Sequence, residues 1–202
     1  TGGEIRDRIA GGKGAFPVAG TAVYMTSYPR PEGGRKWERA IKERPWLYQT
    51  PEDILIKASN GASDFGNKFG QALICGSLLT FEHTENLKFY GYDKVIMLAG
   101  GIGAAKKSDS EKDSPEKGDL IVLLGGDNYR IGMGGSAVSS VETGKYDRKI
   151  ELNAIQRANP EMQKRVYNAI RALAEMDKNP VISIHDHGAG GHLNCLSELV
   201  DA

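Results

Sequence analysis

Short runs of apolar residues predict β-strands at four places in the first 124 residues of the chain. Residues 16–28 combine β-branched, aromatic and small residues and predict a strand that is interrupted at Gly20. Residues 53–57 and 94–98 are shorter apolar segments of the same kind. Residues 119–124 form a continuous apolar run bounded by glycines, which is typical of a strand buried on both faces of a sheet.

The clearest helical pattern covers residues 160–176. Asn159 suits the N-cap position, and Pro160 suits the first helical position. One helical face carries the apolar residues Met162, Val166, Ala169, Ile170, Leu173 and Met176. A strand at 181–184, a turn and a short helix follow, and this order indicates α/β layering. Residues 64–78 predict a weaker helix because three glycines interrupt them.

Two polar segments separate these elements. Residues 29–50 are rich in proline, glycine, arginine and lysine and predict a long surface loop. Residues 105–118 are highly charged and contain no large apolar side chain. The second segment is the best candidate for a domain boundary or an exposed hairpin.

The overall charge balance argues against nucleic acid or an anionic membrane as the main partner. The 202 residues include 26 basic and 26 acidic side chains, so the formal net charge is zero. No apolar run reaches the length of a membrane span. Cys75 and Cys195, the only two cysteines, are far apart in the sequence and predict buried small side chains in a reduced, cytoplasmic protein.

Glycine is abundant and clustered, and the first cluster opens the chain. The 26 glycines lack a repeat period, and pairs of them mark tight turns or close approaches to a ligand. The opening stretch comprises Thr1, Gly2, Gly3, Glu4, Ile5, Arg6 and Asp7. Its glycines would let the backbone approach a phosphate, while Arg6 could clamp an anion and Asp7 could bind Mg²⁺. The competing interpretation is an exposed loop with an Arg–Asp ion pair.

Two later stretches are further candidates for binding sites. Residues 125–137 form a long glycine-rich turn after an apolar run, which suits either anion binding or tight backbone packing. In residues 184–191, His185 and His187 could bind a transition metal, or Asp186 could bind Mg²⁺ near a nucleotide. Structural histidines are the third interpretation. The pattern alone gives Gln156, just before the clearest helix, no special role.

Eight motifs occur along nearly the whole chain in the order found in one enzyme family. They are TGGEIRD, GKGAFPVAG, NKFGQ, IMLAGGIG, GDLIVLLGG, IGMGGSAVSS, IQRANPEMQKR and IHDHGAGGHLNCLSEL. The chain therefore resembles the long, single-chain type of the phosphoribosylformylglycinamidine synthase family, also called formylglycinamide ribonucleotide amidotransferases. The resemblance implies an α/β (α+β) fold of the aminoimidazole ribonucleotide synthetase type, truncated at both ends.

The same resemblance implies an activity and a set of cofactors. Members of the family are ATP-dependent C–N ligases of purine biosynthesis. They convert formylglycinamide ribonucleotide, ATP and glutamine into formylglycinamidine ribonucleotide, ADP, phosphate and glutamate. ATP and Mg²⁺ are the implied cofactors, and the ribonucleotide is the implied substrate.

The resemblance also assigns roles to individual residues. The implied ATP-binding stretch is Thr1, Gly2, Gly3, Glu4, Ile5, Arg6 and Asp7. Arg6 and Gln156 would contact the substrate, and Asp7 and Asp186 would bind Mg²⁺. No catalytic residue is assigned, because the family's catalytic histidine would precede Thr1.

The resemblance predicts that these residues form an internal piece of a longer protein. Residues 1–110 would form the C-terminal part of one ATP-binding synthetase subdomain, and residues 119–202 would form the N-terminal part of the next. Residues 111–118 would be the linker between them. The remaining domains of the parent chain, including the glutaminase domain, would be its partners, and the piece alone would be inactive and prone to self-association. Two alternatives stay open at this point: a non-catalytic binding or assembly module, and a histidine-dependent metal hydrolase.

Overall fold

The fold combines helices with a small mixed sheet. The computed structural model describes residues 1–45, 49–126, 138, 141–142, 144–153, 158–188 and 190–201. The helices there are α1 (Gly2–Ile9), α2 (Lys36–Arg39), α3 (Pro51–Phe69), α4 (Arg148–Asn153), α5 (Pro160–Ala174) and α6 (Gly191–Val200). The strands are β1 (Phe16–Thr26), β2 (Ala72–Thr80), β3 (Glu82–Glu85), β4 (Lys88–Gly91) and β5 (Ile96–Ala104). Among these helices, none has both the length and the apolar character that crossing a membrane requires.

The central sheet has three strands in the order β2–β1–β5. β1 runs parallel to β2 and antiparallel to β5. Parallel neighbours need a crossover connection, and α3 supplies it by packing against both strands. β1 is continuous through Gly20, so the predicted interruption there was wrong, although the β1–β2 register shifts between Gly20 and Thr21. β3 and β4 form a separate antiparallel hairpin.

The hydrophobic core joins the beginning of the chain to a helix near its end. Ile5 and Ile9 of α1, Phe69 of α3, and Tyr167 and Ile170 of α5 are buried against one another. The rings of Phe69 and Tyr167 lie 5.6 Å apart between centroids. The face of α5 that completes this core carries Tyr167, Ile170 and Ala174, so of the predicted apolar stripe only Ile170 is buried, while Ala169, Leu173 and Met176 are exposed. The predicted α/β class is confirmed.

Much of the sheet surface is left uncovered. Large apolar side chains on β2 and β5 are exposed, among them Ile74, Leu78, Leu98 and Ile102. The register places Ile74 and Leu78 on one face of the sheet and Leu98 and Ile102 on the other. Exposed apolar surface commonly marks an interaction site or promotes association. The predicted self-association is consistent with this surface and stays a prediction.

The structure corrects the predictions for residues 53–57 and 64–78. Residues 53–57 belong to α3, not to a strand, because Thr50 begins a helix there by accepting a hydrogen bond from the Asp53 amide at 3.2 Å. α3 ends where Gly70 adopts a left-handed φ of 88°, and β2 begins two residues later. The predicted helix at 64–78 was therefore correct only up to Phe69.

Two other strand predictions were wrong. Residues 119–124 form no strand, and Leu120 is 89% exposed, because no described strand lies beside this apolar run. Residues 181–184 are half-buried but do not form a strand. The Ile182 carbonyl instead accepts a hydrogen bond from the Asp113 amide in a loop, at 3.0 Å. β5 reaches beyond the predicted segment 94–98 to Ala104, since the glycines that follow this segment pair with β1.

The N-cap of α5 provides the first testable prediction. Asn159 Oδ1 accepts a hydrogen bond from the Met162 amide at 3.0 Å, as the sequence predicts. Asn159→Ala should lower the free energy of unfolding by about 1 kcal/mol because this amide loses its partner. Asn159→Asp keeps an acceptor and should stay close to wild type in urea denaturation followed by circular dichroism. Equal midpoints for the alanine and aspartate variants would show that the cap contributes nothing.

Candidate functional site

The opening stretch is a helix rather than the predicted glycine turn. α1 begins at Gly2, and the Thr1 carbonyl accepts its first helical hydrogen bond from the Ile5 amide at 3.1 Å. A side chain at Gly2 would come within 2.7 Å of the Phe65 ring, so Gly2 allows α1 to pack closely on α3. A side chain at Gly3 would meet nothing within 4 Å. Gly3 therefore offers open space for a ligand beside the first turn of a helix, where amides lack helical partners.

Ile5 and Glu4 point into the protein, although both fall in the predicted ATP-binding stretch. Ile5 is fully buried in the core, so its side chain is not available to a nucleotide. The Glu4 carboxylate forms an ion pair with Arg8 and accepts a hydrogen bond from Gln71 Nε2 at 2.8 Å. The side chains of both residues therefore stabilise α1 and its neighbours.

Arg8 and Gln71 are structural residues that the sequence analysis missed. Arg8 donates hydrogen bonds to Gln71 Oε1 at 2.6 Å, to the Ala19 carbonyl at 3.0 Å and to the Ile102 carbonyl, which ties α1 to β1 and β5. Two signals could have indicated them. Arg8 lies four residues after Glu4 on a helix, and Gln71 closes the NKFGQ motif.

The structure brings together three of the predicted site residues from opposite ends of the chain. Arg6 Nε donates a hydrogen bond to Asp186 Oδ2 at 2.9 Å, and Arg6 Nη2 lies 3.1 Å from Asp7 Oδ1. The side chains of Arg6 and Asp186 are 30% and 32% exposed, and that of Asp7 is 62% exposed. The group is therefore accessible to ligands and forms the centre of the candidate site.

The histidines beside Asp186 are held in different surroundings. His185 is nearly buried, and its Nδ1 lies 3.4 Å from Lys112 Nζ and 3.7 Å from Glu198 Oε2. The ring of His187 lies edge-on to that of His192, with 4.5 Å between centroids.

Burial lowers the pKa of His187, and the neighbouring His192 adds to this effect, while Asp186 opposes it. Because the pKa is lowered on folding, His187 favours the folded state above the unfolded pKa of 6.5, and that contribution is lost as the pH falls.

The donor chemistry of the site fits Mg²⁺ better than a transition metal. No group of three or more His, Cys, Asp or Glu side chains suited to a metal occurs within the described ranges. Mg²⁺ is commonly bound by one or two carboxylates, with water and substrate phosphates supplying the rest. Asp7 and Asp186 supply two such carboxylates, whereas a histidine-dependent hydrolase finds no complete ligand set in the described residues.

Some predicted residues cannot be placed. Gln156 and most of the 125–137 turn, from residue 127 onward, lie outside the described residues. Their predicted roles stay predictions.

The two cysteines differ from each other. Cys195 is buried as predicted, its Sγ donates to the His185 carbonyl at 3.6 Å, and burial raises the pKa of its thiol. Cys75 was expected to be buried but lies exposed on β2, an edge strand of the three-stranded sheet. Neither is in a disulfide.

Comparison with known proteins gives consistent matches. The profile described as "AIR synthase related protein, C-terminal domain" matches residues 116–202. Its start lies near the proposed boundary at 111–118, and the division into subdomains itself stays a prediction. The fold of this region is therefore of the aminoimidazole ribonucleotide synthetase type.

Relatives match over almost all of the chain. The "Probable phosphoribosylformylglycinamidine synthase, chloroplastic/mitochondrial" of Arabidopsis thaliana is 44% identical over 98% of this chain and 14% of its own length. The phosphoribosylformylglycinamidine synthases of Homo sapiens and Drosophila melanogaster are 41% and 40% identical over 100% of this chain and 15% of their own lengths. The chain thus spans about one seventh of the length of these curated relatives.

Proposed function

The chain belongs to the phosphoribosylformylglycinamidine synthase family, and we propose that Arg6, Asp7 and Asp186 form part of a site for Mg²⁺, ATP and an anionic substrate. The observation that carries the proposal is the convergence of these three charged side chains from α1 and from the segment before α6. Positions 6 and 186 are far apart in the sequence, so their contact at 2.9 Å is a property of the fold.

The wider reaction is part of the same proposal. The longer protein would convert formylglycinamide ribonucleotide, ATP and glutamine into formylglycinamidine ribonucleotide, ADP, phosphate and glutamate. A glutaminase domain elsewhere in that protein would supply ammonia, and a cytoplasmic location is proposed. The name of the Arabidopsis relative places that protein in the chloroplast or mitochondrion instead.

Each residue of the proposed site has a distinct task. Asp7 and Asp186 would hold Mg²⁺, which when bound would offset the charge of a transferring phosphoryl group. Arg6 would orient the anionic substrate, since its planar guanidinium can donate two parallel hydrogen bonds to a phosphate or carboxylate. The amides of the first turn of α1, beside Gly3, would face phosphate oxygens. Gln156 would contact the substrate, a role supported by the family resemblance alone.

No residue of this chain is assigned a catalytic role, and turnover by this chain alone is not expected. A reaction of this kind requires all reacting groups to be positioned together. Ammonia-dependent synthesis of the amidine by the 202-residue chain would contradict that expectation.

Calorimetric titration with ATP and Mg²⁺ tests the proposed site. Asp186→Asn removes one carboxylate charge and should weaken binding by about tenfold or more. Asp64→Asn is the matched control, because Asp64 is 60% exposed and pairs only with Lys68 within α3 among the contacts described. The control should bind as wild type does. Equal affinities for all three proteins would exclude Asp186 from the site.

A second candidate function is a non-catalytic assembly module. The exposed apolar side chains on the two faces of the sheet favour it, since exposed apolar surface is suited to contact with another protein. Absence of ATP and Mg²⁺ binding, together with concentration-dependent association in light scattering, would support the module over the ligand site. A monomer at high concentration would count against it.

A further inference from the structure

Arg6 occupies the position between the two carboxylates that are proposed to hold a metal ion. Its Nε contacts Asp186 and its Nη2 contacts Asp7, so one guanidinium bridges both acids. The two acids come from different elements: Asp7 lies on α1, and Asp186 lies before α6. In this structure the Arg6 side chain is therefore a direct link between the two sides of the site.

Electrostatics explains why a cation is needed at this position. Two ionised carboxylates placed close together repel, and a cation between them removes that repulsion. One guanidinium offsets only one of the two negative charges, whereas a divalent ion offsets both. A divalent ion bound by the same two acids would also repel the guanidinium beside it. The divalent ion and the guanidinium would therefore compete for the same two carboxylates.

We propose that Arg6 is a stand-in cation that holds Asp7 and Asp186 together without metal and is displaced from them when Mg²⁺ binds. This inference rests on the proposed function, which assigns the metal to these acids. Displacement releases the guanidinium to bind the anionic substrate, so metal binding and substrate binding favour each other. Such coupling is reciprocal, because each ligand raises the affinity for the other by the same factor.

The competition predicts an unusual direction of change. Arg6→Gln removes the competing charge and keeps a polar side chain. In calorimetric titration with Mg²⁺ alone, the affinity of this variant of the 202-residue chain for Mg²⁺ should be at least about fivefold higher than that of wild type. Arg165→Gln removes the same charge from an exposed ion pair with Glu161 and should leave the affinity for Mg²⁺ unchanged.

A measurement on the unaltered chain guards against a variant that folds poorly. The Arg6 Nε–H resonance, identified by its loss in Arg6→Gln, should shift on addition of Mg²⁺ as its hydrogen bond to Asp186 breaks. The shift should saturate together with the calorimetric binding curve. No shift at saturating Mg²⁺ would mean that Arg6 stays on Asp186, which overturns the inference.

The remaining outcomes separate this inference from the proposed function. Equal or weaker Mg²⁺ binding by Arg6→Gln, with binding by wild type intact, overturns the stand-in role and leaves the metal site standing. No Mg²⁺ binding by wild type or by Arg6→Gln overturns both. Tighter binding by Arg6→Gln, no change in Arg165→Gln and a saturating resonance shift support both.

Discussion

Ile5→Ala is expected to lower the free energy of unfolding by about 2–5 kcal/mol, the usual cost of truncating a buried isoleucine to alanine. The Ile5 side chain is fully buried in the core formed by α1, α3 and α5. Its loss leaves a cavity between three helices that the rest of the core fills only in part. Urea denaturation followed by circular dichroism measures the change.

The matched variant Ile5→Val removes one methylene and should cost only about 0.5–1.5 kcal/mol. This pair of variants also separates packing from ligand contact at a position within the predicted ATP-binding stretch. Under the packing role, Ile5→Val keeps the affinity for ATP and Mg²⁺. An alanine variant within about 1 kcal/mol of wild type would mean that α1 is not held by this core.

Glu82→Ala is expected to cost about 3–5 kcal/mol, because it leaves the buried charge of Arg30 without its partner. The side chains of Glu82 and Arg30 are 2% and 8% exposed. Arg30 Nη1 donates to Glu82 Oε1 at 3.0 Å, and the Tyr28 amide donates to the same oxygen at 3.0 Å. The hydrogen bond between Glu82 and Arg30 also raises the pKa of the arginine, so its charge stays. Chemical denaturation at neutral pH measures the loss.

Two controls show whether burial sets this cost. Asp64→Ala breaks an exposed pair with Lys68 and should cost less than about 1 kcal/mol. The double variant Arg30→Met with Glu82→Met removes both charges together and should recover much of the stability lost in Glu82→Ala. A Glu82→Ala cost no larger than that of Asp64→Ala would show that Arg30 reaches water once its partner is removed.

The parts of the fold that depend on local chemistry could be predicted from the sequence. α5 was predicted nearly to its ends, since Asn159, Pro160 and the apolar stripe act within the helix itself. β1 was predicted for a similar reason, because β-branched and aromatic residues favour a pleated surface.

The failures share a different cause. The apolar run at 119–124 has the composition of a strand, but a strand also needs a neighbour to pair with, and its own sequence does not specify one. The three apolar residues in 53–57 predict a strand, but the N-cap hydrogen bond at Thr50 begins a helix there.

The candidate site was predicted in its residues but not in its arrangement. Arg6, Asp7 and Asp186 were selected by type and motif, yet nothing in the sequence indicates that Arg6 bonds to both acids at once. The inward positions of Glu4 and Ile5 were also unpredictable while the stretch was taken for a turn. In a helix, by contrast, residues four apart share a face, which places Ile5 with Ile9 on the buried face of α1.

The core shared by α1, α3 and α5 also determines the order in which this protein can fold during synthesis. Tyr167 and Ile170 leave the ribosome ~100 residues after Phe69, a delay of about 5–20 s at ordinary rates of translation. During that interval Ile5, Ile9 and Phe69 lack the helix that covers them. We expect the nascent chain to bind chaperones through α1 and α3 until α5 emerges, and to release them as the core closes.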